Sequence, residues 1–430
     1  MNLDGWKRRL LENRFIRSVG LLAGAAVIGQ ALMLAVTPLL TRLYSPADFG
    51  IFAAFSASMS LISVISSLRY ELAIPLMRND RSARSMLVSA LGLNALTAVA
   101  AMVAVLLWRE DFARLLNAPR LSGYLLLIPL GILGAGSYRA LNLWTLRKQA
   151  FAVIAQTKLL QSASNVVVQI MGGFGGLGAI GLIVGHIMGF TAGSLRLARD
   201  VAFRKHSVRS PAHRRRAAGL LAGHVRFPKF DVPASLANFL SAQLPNLALV
   251  AMFSPAVAGI YFLAERVLTA PMSIVSQALG QTVLAGARGT IREGRIVRQT
   301  LLVVLGLVAM VSLPVVIVVA EGEYLFATIF DETWRQAGVY GAWLMPGFAV
   351  QFIYSSISTA LTATRGQRTN LFIHISLLVL KIVALWVGYR AGDPLLTIIA
   401  LGAANVVGGV FAIGAVFAHI SWATKCSPRL

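Results

Sequence analysis

The sequence predicts an all-α integral membrane protein with about twelve transmembrane helices in two like-oriented six-helix bundles around a central cationic cavity. Three observations predict this class. Of the 430 residues, 57% are hydrophobic and only 13% are charged, which is about half the charged share of a soluble domain. Apolar segments of membrane-spanning length recur along the chain, and short motifs repeat about half a chain length apart.

The apolar segments set the number of predicted spans. About 20 helical residues are needed to cross the roughly 30 Å hydrocarbon core of a bilayer. The first segment follows a basic N-terminus and is too long for the core of a signal peptide, so we expect it to be retained as a span. The twelve predicted spans lie near 18–40, 48–68, 85–107, 121–146, 150–172, 176–195, 232–252, 256–285, 299–320, 336–362, 370–389 and 394–420.

The distribution of basic residues tests this topology, because cytoplasmic loops of membrane proteins are enriched in Lys and Arg. With the N-terminus in the cytoplasm, 29 of the 39 Lys and Arg residues fall in cytoplasmic segments and six fall outside. The net charge of +23 is therefore interpreted as an orientation signal, not as a nucleic-acid footprint. The basic run at 204–216 lacks interleaved aromatic residues, so we interpret it as a cytoplasmic loop near anionic lipid headgroups.

An internal repeat divides the predicted spans into two sets of six. The pattern Ser-Pro-Ala-x-x-Gly-Ile-aromatic begins at Ser45 and again at Ser254, each time at a predicted outer turn. Pro129 and Pro346 are both expected in the middle of a span, and the segments LRKQ and TRGQ follow at inner turns. Landmarks at nearly constant separation indicate an internal duplication, and an even number of spans per half gives both halves the same orientation.

The duplication predicts three parts: an N-terminal bundle at 1–205, a basic cytoplasmic linker at 206–226 and a C-terminal bundle at 227–430. Two equivalent bundles with proline-kinked helices are typical of a transporter. A membrane enzyme such as a polysaccharide polymerase or ligase is less well supported, because the longest predicted outer loop has only about 15 residues.

Four basic residues lie inside predicted spans, where each charge costs on the order of 3 kcal/mol. They are Arg139, Lys158, Arg266 and Lys381. Each could bond a neighbouring helix or reach the membrane surface, but we favour a water-filled cationic cavity that binds an anion. The charges expected to support this site are Glu265, Arg69, Glu71, Lys229 and Asp231. His186 and His374 are interpreted as packing residues.

The sequence lacks the motifs of several enzyme classes. It contains no G-x-x-x-x-G-K-[ST] run, and it shows no nucleophilic triad and no cluster with metal-ligand spacing. The glycine-rich segment at 171–181 is interpreted as a turn between two spans, since no strand precedes it. We therefore expect a protein that is not an enzyme and that needs no cofactor or metal.

Three segments resemble the Wzx-type polysaccharide-biosynthesis flippases, the O-antigen and exopolysaccharide translocases of the multidrug/oligosaccharidyl-lipid/polysaccharide exporter superfamily. They are LTRLYSPADFGIFAAFSASMSLISVISSLRYELAIPL (40–76), FPKFDVPASLANFLSAQLPNLALVAMFSPAVAGIYFLAERVLTAPMSIVSQALG (227–280) and FDETWRQAGVYGAWLMPGFAVQFIYSSIS (330–358). By position, Arg266 and the pair Arg69 and Glu71 match charges that recur in that family.

The resemblance implies two six-helix bundles around a central lumen, working by alternating access in the bacterial inner membrane with both termini in the cytoplasm. It implies a substrate of undecaprenyl-diphosphate-linked oligosaccharide, used for O-antigen, exopolysaccharide or capsule synthesis. Membrane lipids, and a polysaccharide polymerase with chain-length proteins, are the implied partners, and no nucleic acid is implied. The alternative is a cation-coupled drug or metabolite antiporter of the same superfamily, although such relatives use intramembrane acids and span 1 contains none.

Overall fold

The computed structural model describes residues 14–202, 219–292, 296–363 and 366–426, and the regular secondary structure in these ranges is helical throughout. Twelve helices in these ranges have 20 residues or more. They are α1 (Arg14–Leu43), α2 (Pro46–Ile65), α3 (Asp80–Leu115), α4 (Ile128–Arg147), α5 (Phe151–Phe174), α6 (Ala179–Ala202), α7 (Val232–Met252), α8 (Pro255–Arg292), α9 (Ile296–Phe330), α10 (Arg335–Ile357), α11 (Gln367–Ala391) and α12 (Pro394–Cys426).

Ten segments of the described chain are long and apolar enough to cross a membrane, which confirms the predicted fold class of a multi-pass α-helical membrane protein. Of the twelve long helices, α5 and α7 are not in this set. Both carry several amide side chains, such as Gln161 and Asn165 on α5 and Gln243 and Asn246 on α7, and these lower the hydropathy of the helix. The count of twelve spans stays a prediction.

The chain forms two compact units. The first unit comprises Met1–Leu43 and Ala54–Phe239, and the second comprises Tyr44–Ala53 and Leu240–Leu430. The start of α2 therefore belongs to the second unit, and the start of α7 belongs to the first. Residues 203–218, which include most of the predicted basic linker, lie outside the described residues.

In the first unit, α5 packs against α1 and α6, and α4 packs against α3 and α6. The core at one end of α4 contains Tyr138, Leu141 and Trp144, together with Met86 and Leu87 of α3. Small residues of α4 let its neighbours approach closely, as Gly136 lies against the Asn94 side chain of α3. Such close contact between helices is how membrane bundles gain packing energy without a hydrophobic driving force.

In the second unit, α10 is the central helix. It packs against α8, α9 and α12, and α12 packs against α11. The residue before α10, Trp334, is fully buried, and its ring centroid lies 5.0 Å from that of Phe49. Along α10, Tyr340, Leu344 and Phe348 are buried on successive turns.

Trp334 should therefore be a major source of stability for the second unit. Replacing a buried Trp with Ala commonly costs about 3–5 kcal/mol, so Trp334→Ala should lower the unfolding free energy by about that amount. Trp343→Ala is the matched control, because Trp343 lies on the same helix with 51% of its surface exposed. Denaturant unfolding of the purified proteins measures both, and equal losses would contradict the role given to Trp334.

The two prolines of the repeat differ in their local structure. Pro346 lies inside α10, as predicted. Pro129 was expected in the middle of a helix, but it lies in the first turn of α4. The chain is 3₁₀-helical over Leu125–Leu127 and becomes α-helical at Ile128, so the missing N–H of Pro129 falls where no helical partner is required.

The two copies of the repeated Ser-Pro-Ala pattern contact each other within the second unit. A Cβ atom added at Gly50 would lie 1.7 Å from the Pro255 carbonyl oxygen, and one added at Gly259 would lie 1.8 Å from the Pro46 carbonyl oxygen. The contact is thus reciprocal, with the glycine of each copy against the proline of the other. Only glycine permits backbones to approach this closely.

Candidate functional site

A cavity of about 240 Å³ lies inside the second unit, where α8, α10, α11 and α12 meet with one residue of α7. Helical spacing of three or four residues places the lining side chains of α8 on one face. Those side chains are Tyr261, Glu265, Thr269, Met272, Ser273 and Ser276. Phe348, Gln351, Phe352 and Ser355 of α10 form the opposite wall, and Lys381 and Asn405 complete the lining.

The two charged groups of this cavity are both held by polar partners. The Lys381 Nζ atom donates a hydrogen bond of 3.0 Å to the Ser241 main-chain oxygen of α7. Glu265 accepts a hydrogen bond of 3.0 Å from Asn246 Nδ2 and another from the Tyr261 hydroxyl. Glu265 and Lys381 attract one another, so the cavity contains one charge of each sign.

The α8 and α10 walls are joined by a cluster of serine hydroxyls. The Ser276 Oγ atom lies 2.9 Å from Ser355 Oγ and 3.1 Å from Ser356 Oγ. These hydrogen bonds use some of the donors and acceptors of the three hydroxyls, and they hold α8 and α10 together where the serines lie. A hydroxyl both donates and accepts hydrogen bonds, so this wall can bind either a donor or an acceptor of a ligand.

Arg266 does not line this cavity, although it follows Glu265 in the chain. Successive helical residues point about 100° apart, so the guanidinium leaves α8 in another direction. Arg266 is half-buried and makes no hydrogen bond or ion pair with any residue of the described ranges. In the first unit Lys158 of α5 is likewise half-buried and unpaired within those ranges.

A polar cluster lies in the first unit where α2 ends. Leu68 and Arg69 have left-handed backbone conformations, with φ of 51° and 62°, and stop the helix. Arg139 of α4 donates to the main-chain oxygen of Ser63 and, at 2.9 Å, to its hydroxyl. A cation at a helix C-terminus is favoured by the helix dipole, so Arg139 stabilises the last turn of α2.

Glu71 is the buried carboxylate of this cluster, with 1% of its side chain exposed. It accepts a hydrogen bond from Ser67 and lies 3.8 Å from the Arg69 guanidinium. Arg139 is within electrostatic range of both Arg69 and Glu71. Several buried polar atoms of the cluster have no hydrogen-bond partner in the described part of the chain: Ser66 Oγ, Arg69 Nε, Glu71 Oε1, Asn94 Oδ1, Tyr138 Oη, Arg139 Nε and Asn142 Oδ1. Buried groups of this kind ordinarily bind internal water or a ligand.

A second cavity, of about 170 Å³, lies in the first unit among α1, α5 and α6. Gln161, Ser162 and Asn165 line it from α5, and His186 lines it from α6. The His186 ring packs edge-on against Phe190, with 5.1 Å between ring centroids. Its lining combines these polar side chains with the apolar Met33 and Phe190, and it carries no carboxylate or ammonium group.

A model of the polysaccharide biosynthesis protein family matches residues 39–338, which is more than half of the chain. The chain belongs to this family. None of the curated protein sequences matches it.

Several solved structures of transporters share the fold of this polysaccharide biosynthesis protein. A structure described as the lipid II flippase MurJ in an inward closed conformation has a TM-score of 0.72 and 13% identity over 94% of this chain and 90% of that chain. An inward-facing multidrug resistance MATE family transporter of the MOP superfamily has a TM-score of 0.63 and 14% identity over 94% and 96%. A MOP superfamily transporter from Pyrococcus furiosus, described as having a binding pocket of reversed polarity, has a TM-score of 0.55 and 15% identity over 95% and 96%. At these identities the likeness establishes the fold.

Within this member of the polysaccharide biosynthesis family, the structure sorts the charged residues singled out from the sequence into separate places. Glu265 and Lys381 share one cavity, whereas Arg69, Glu71 and Arg139 share one cluster. Lys229 and Asp231 lie in a π-helical turn, Phe227–Asp231, that leads into α7, where Lys229 is exposed and its Nζ atom lies 5.5 Å from the Phe230 ring centroid.

Sequence reasoning missed the buried neutral polar residues of both units. Asn94, Asn246 and Asn405 are each at least 95% buried. A lone amide within an apolar span is the signal that could have found them, because an amide in the bilayer must find hydrogen-bond partners inside the protein.

Proposed function

We propose that this chain is a flippase that moves undecaprenyl-diphosphate-linked oligosaccharide from the cytoplasmic to the outer leaflet of the bacterial inner membrane by alternating access. The product would serve O-antigen, exopolysaccharide or capsule synthesis. The observation that carries the proposal is the match to the polysaccharide biosynthesis family over residues 39–338, which covers parts of both units. The fold shared with a structure described as a lipid II flippase supports it.

In this proposal the diphosphate is bound by basic side chains inside the spans. Arg266 and Lys158 are the first candidates, because both are half-buried cations with no partner among the described residues. Guanidinium and ammonium groups form strong charge-assisted bonds to phosphate oxygens. Arg139 and Lys381 already donate to main-chain oxygens, so we assign them to shaping the polar path, with remaining N–H groups available to the substrate.

The orientation belongs to the same proposal. The basic segments would face the cytoplasm together with both termini, which is the side where lipid-linked oligosaccharide is made. A polysaccharide polymerase and chain-length proteins would take over the product outside. The protein would act as a transporter that forms and breaks no covalent bond and requires no cofactor.

A strain that lacks this gene provides the test. We expect lipid-linked oligosaccharide to accumulate on the cytoplasmic face and surface polysaccharide to be lost, with both defects restored by the intact gene. Cell fractionation with extraction of the lipid-linked pool measures the first, and surface glycan analysis measures the second. Unchanged glycans with raised sensitivity to cationic drugs would instead support the antiporter, the alternative that the fold shared with a MATE transporter keeps open.

A further inference from the structure

The cavity of the second unit contains hydrogen-bonding groups that the protein itself does not use. Lys381 is 9% exposed and donates one of its three N–H groups to the Ser241 main-chain oxygen, which leaves two donors. Asn405 is 4% exposed, and its Oδ1 atom, in a side chain that lines the cavity, has no partner in the described chain. Unused donors and acceptors on buried side chains that line a cavity indicate a ligand that can both accept and donate hydrogen bonds.

The charges of the cavity exclude several ligand classes. The Lys381 ammonium and the Glu265 carboxylate give the cavity no net charge, so a cation attracted by Glu265 is repelled by Lys381, an anion meets the reverse, and neither gains a net attraction. A purely apolar solute would displace water from these two charges and from Asn405 without replacing its hydrogen bonds. An uncharged molecule with several hydroxyl or amide groups remains.

The remaining lining residues fit the ring of a sugar. Tyr261, Phe348 and Phe352 supply aromatic surface, and Ser273 and Ser276 supply hydroxyls on the same side of α8. A pyranose presents C–H groups that pack on an aromatic face and hydroxyls that bond around its edge. The cavity of about 240 Å³ far exceeds the roughly 10–15 Å³ that a single water molecule needs.

From these contacts we infer that the second-unit cavity is a binding site for an uncharged pyranose sugar. Lys381 and Asn405 bond the sugar hydroxyls from one side, Glu265 accepts from them, and the aromatic residues of α8 and α10 cover its apolar face. The inference rests on the proposed function, in which the bound sugar is a residue of the oligosaccharide. It assigns sugar recognition to a site that Arg266 does not line.

Cysteine protection tests the site. The only cysteine of the sequence is Cys426, so Cys426→Ser provides a cysteine-free background. In that background Ser273→Cys and Ser276→Cys each place one thiol in the cavity at little change in size. Ser162→Cys is the matched control, because Ser162 lines the cavity of the first unit. The rate of N-ethylmaleimide labelling is measured on the full chain in lipid nanodiscs, with glucose, galactose, N-acetylglucosamine, glucuronate or glucosamine added.

We expect at least one of the three neutral sugars to slow labelling at both Ser273→Cys and Ser276→Cys along a saturable curve. At a sugar concentration of twice the fitted Kd, mass action leaves about a third of the sites open, so the rate falls about threefold. Labelling of Ser162→Cys should not change, and glucuronate and glucosamine should protect less than the neutral sugars.

Each contrary outcome overturns the inference. These outcomes are thiols that never react, protection by no neutral sugar, equal protection of Ser162→Cys, and protection by sodium chloride alone. The result is separable from the proposed function. A chain that restores glycan export in the deletion strain without sugar protection would refute only the sugar site, whereas a deletion strain with normal lipid-linked oligosaccharide would refute the flippase.

Discussion

Arg266→Ala should reduce the export of lipid-linked oligosaccharide at least about tenfold without lowering the stability of the protein. A hydrogen bond to a charged group contributes about 1.5–3 kcal/mol, and about 1.4 kcal/mol corresponds to a factor of ten in binding. The half-buried guanidinium makes no hydrogen bond or ion pair in the described chain, so its removal breaks no internal polar interaction. Since placing Arg in a span costs on the order of 3 kcal/mol, thermal stability should stay equal or rise.

The prediction is specific because export should fall while stability is kept or raised. A residue that only supports the fold would lose stability and transport together. Arg298→Ala is the control, because Arg298 is an exposed cation at the start of α9, and it should leave export unchanged. Arg266→Lys should retain part of the export, since it keeps the charge but not the bidentate geometry. Export is measured in the deletion strain and stability by thermal unfolding; normal export in Arg266→Ala would remove this residue from the diphosphate path.

The membrane class of the fold could be predicted because composition and span length are constrained directly by the bilayer. Local helix geometry could not be predicted in the same way. Pro129 stands within an apolar stretch that runs without interruption from Leu125, and nothing in that stretch shows that 3₁₀ geometry over Leu125–Leu127 would place the proline in a first turn. Such details depend on packing between helices, for which a hydropathy pattern carries no information.

For the charged residues, burial could be predicted from the sequence but the bonding partners could not. Burial of Lys381 could be predicted from its place in an apolar span, and the structure gives it 9% exposure. Its partner, the main-chain oxygen of Ser241, could not, because 140 residues separate the two and any helical carbonyl has the same sequence signature. The neighbours Glu265 and Arg266 illustrate the point further, since one lines the cavity and the other does not.

The repeated Ser-Pro-Ala pattern was found in the sequence, but its physical consequence came from the structure. A glycine at a helix start can allow a close helix contact, but the sequence does not identify the partner. The partner is the other copy, through the contacts of Gly50 with Pro255 and of Gly259 with Pro46. The two copies of the duplicated segment therefore supply the two sides of one contact.

Gly50→Ala and Gly259→Ala should each lower the unfolding free energy by about 1–3 kcal/mol, the usual cost of overpacking. The added methyl group would meet a carbonyl oxygen of the other copy at 1.7 or 1.8 Å. This oxygen belongs to a helix backbone, which cannot move aside as a flexible side chain can. Gly306→Ala in α9 is the matched control, because an added Cβ there meets no atom within 4 Å and alanine favours a helix more than glycine does.

The reciprocal geometry also predicts how the two substitutions combine. Once Gly50→Ala has forced the two helix starts apart, the second methyl group of Gly259→Ala enters a contact that is already open. Residues in contact show coupling energies of about 0.5–3 kcal/mol, so the double variant should lose less stability than the sum of the single losses. Thermal unfolding of the four proteins in one detergent measures this coupling. Fully additive losses, or single losses no larger than that of Gly306→Ala, would show that the two glycines do not share one contact.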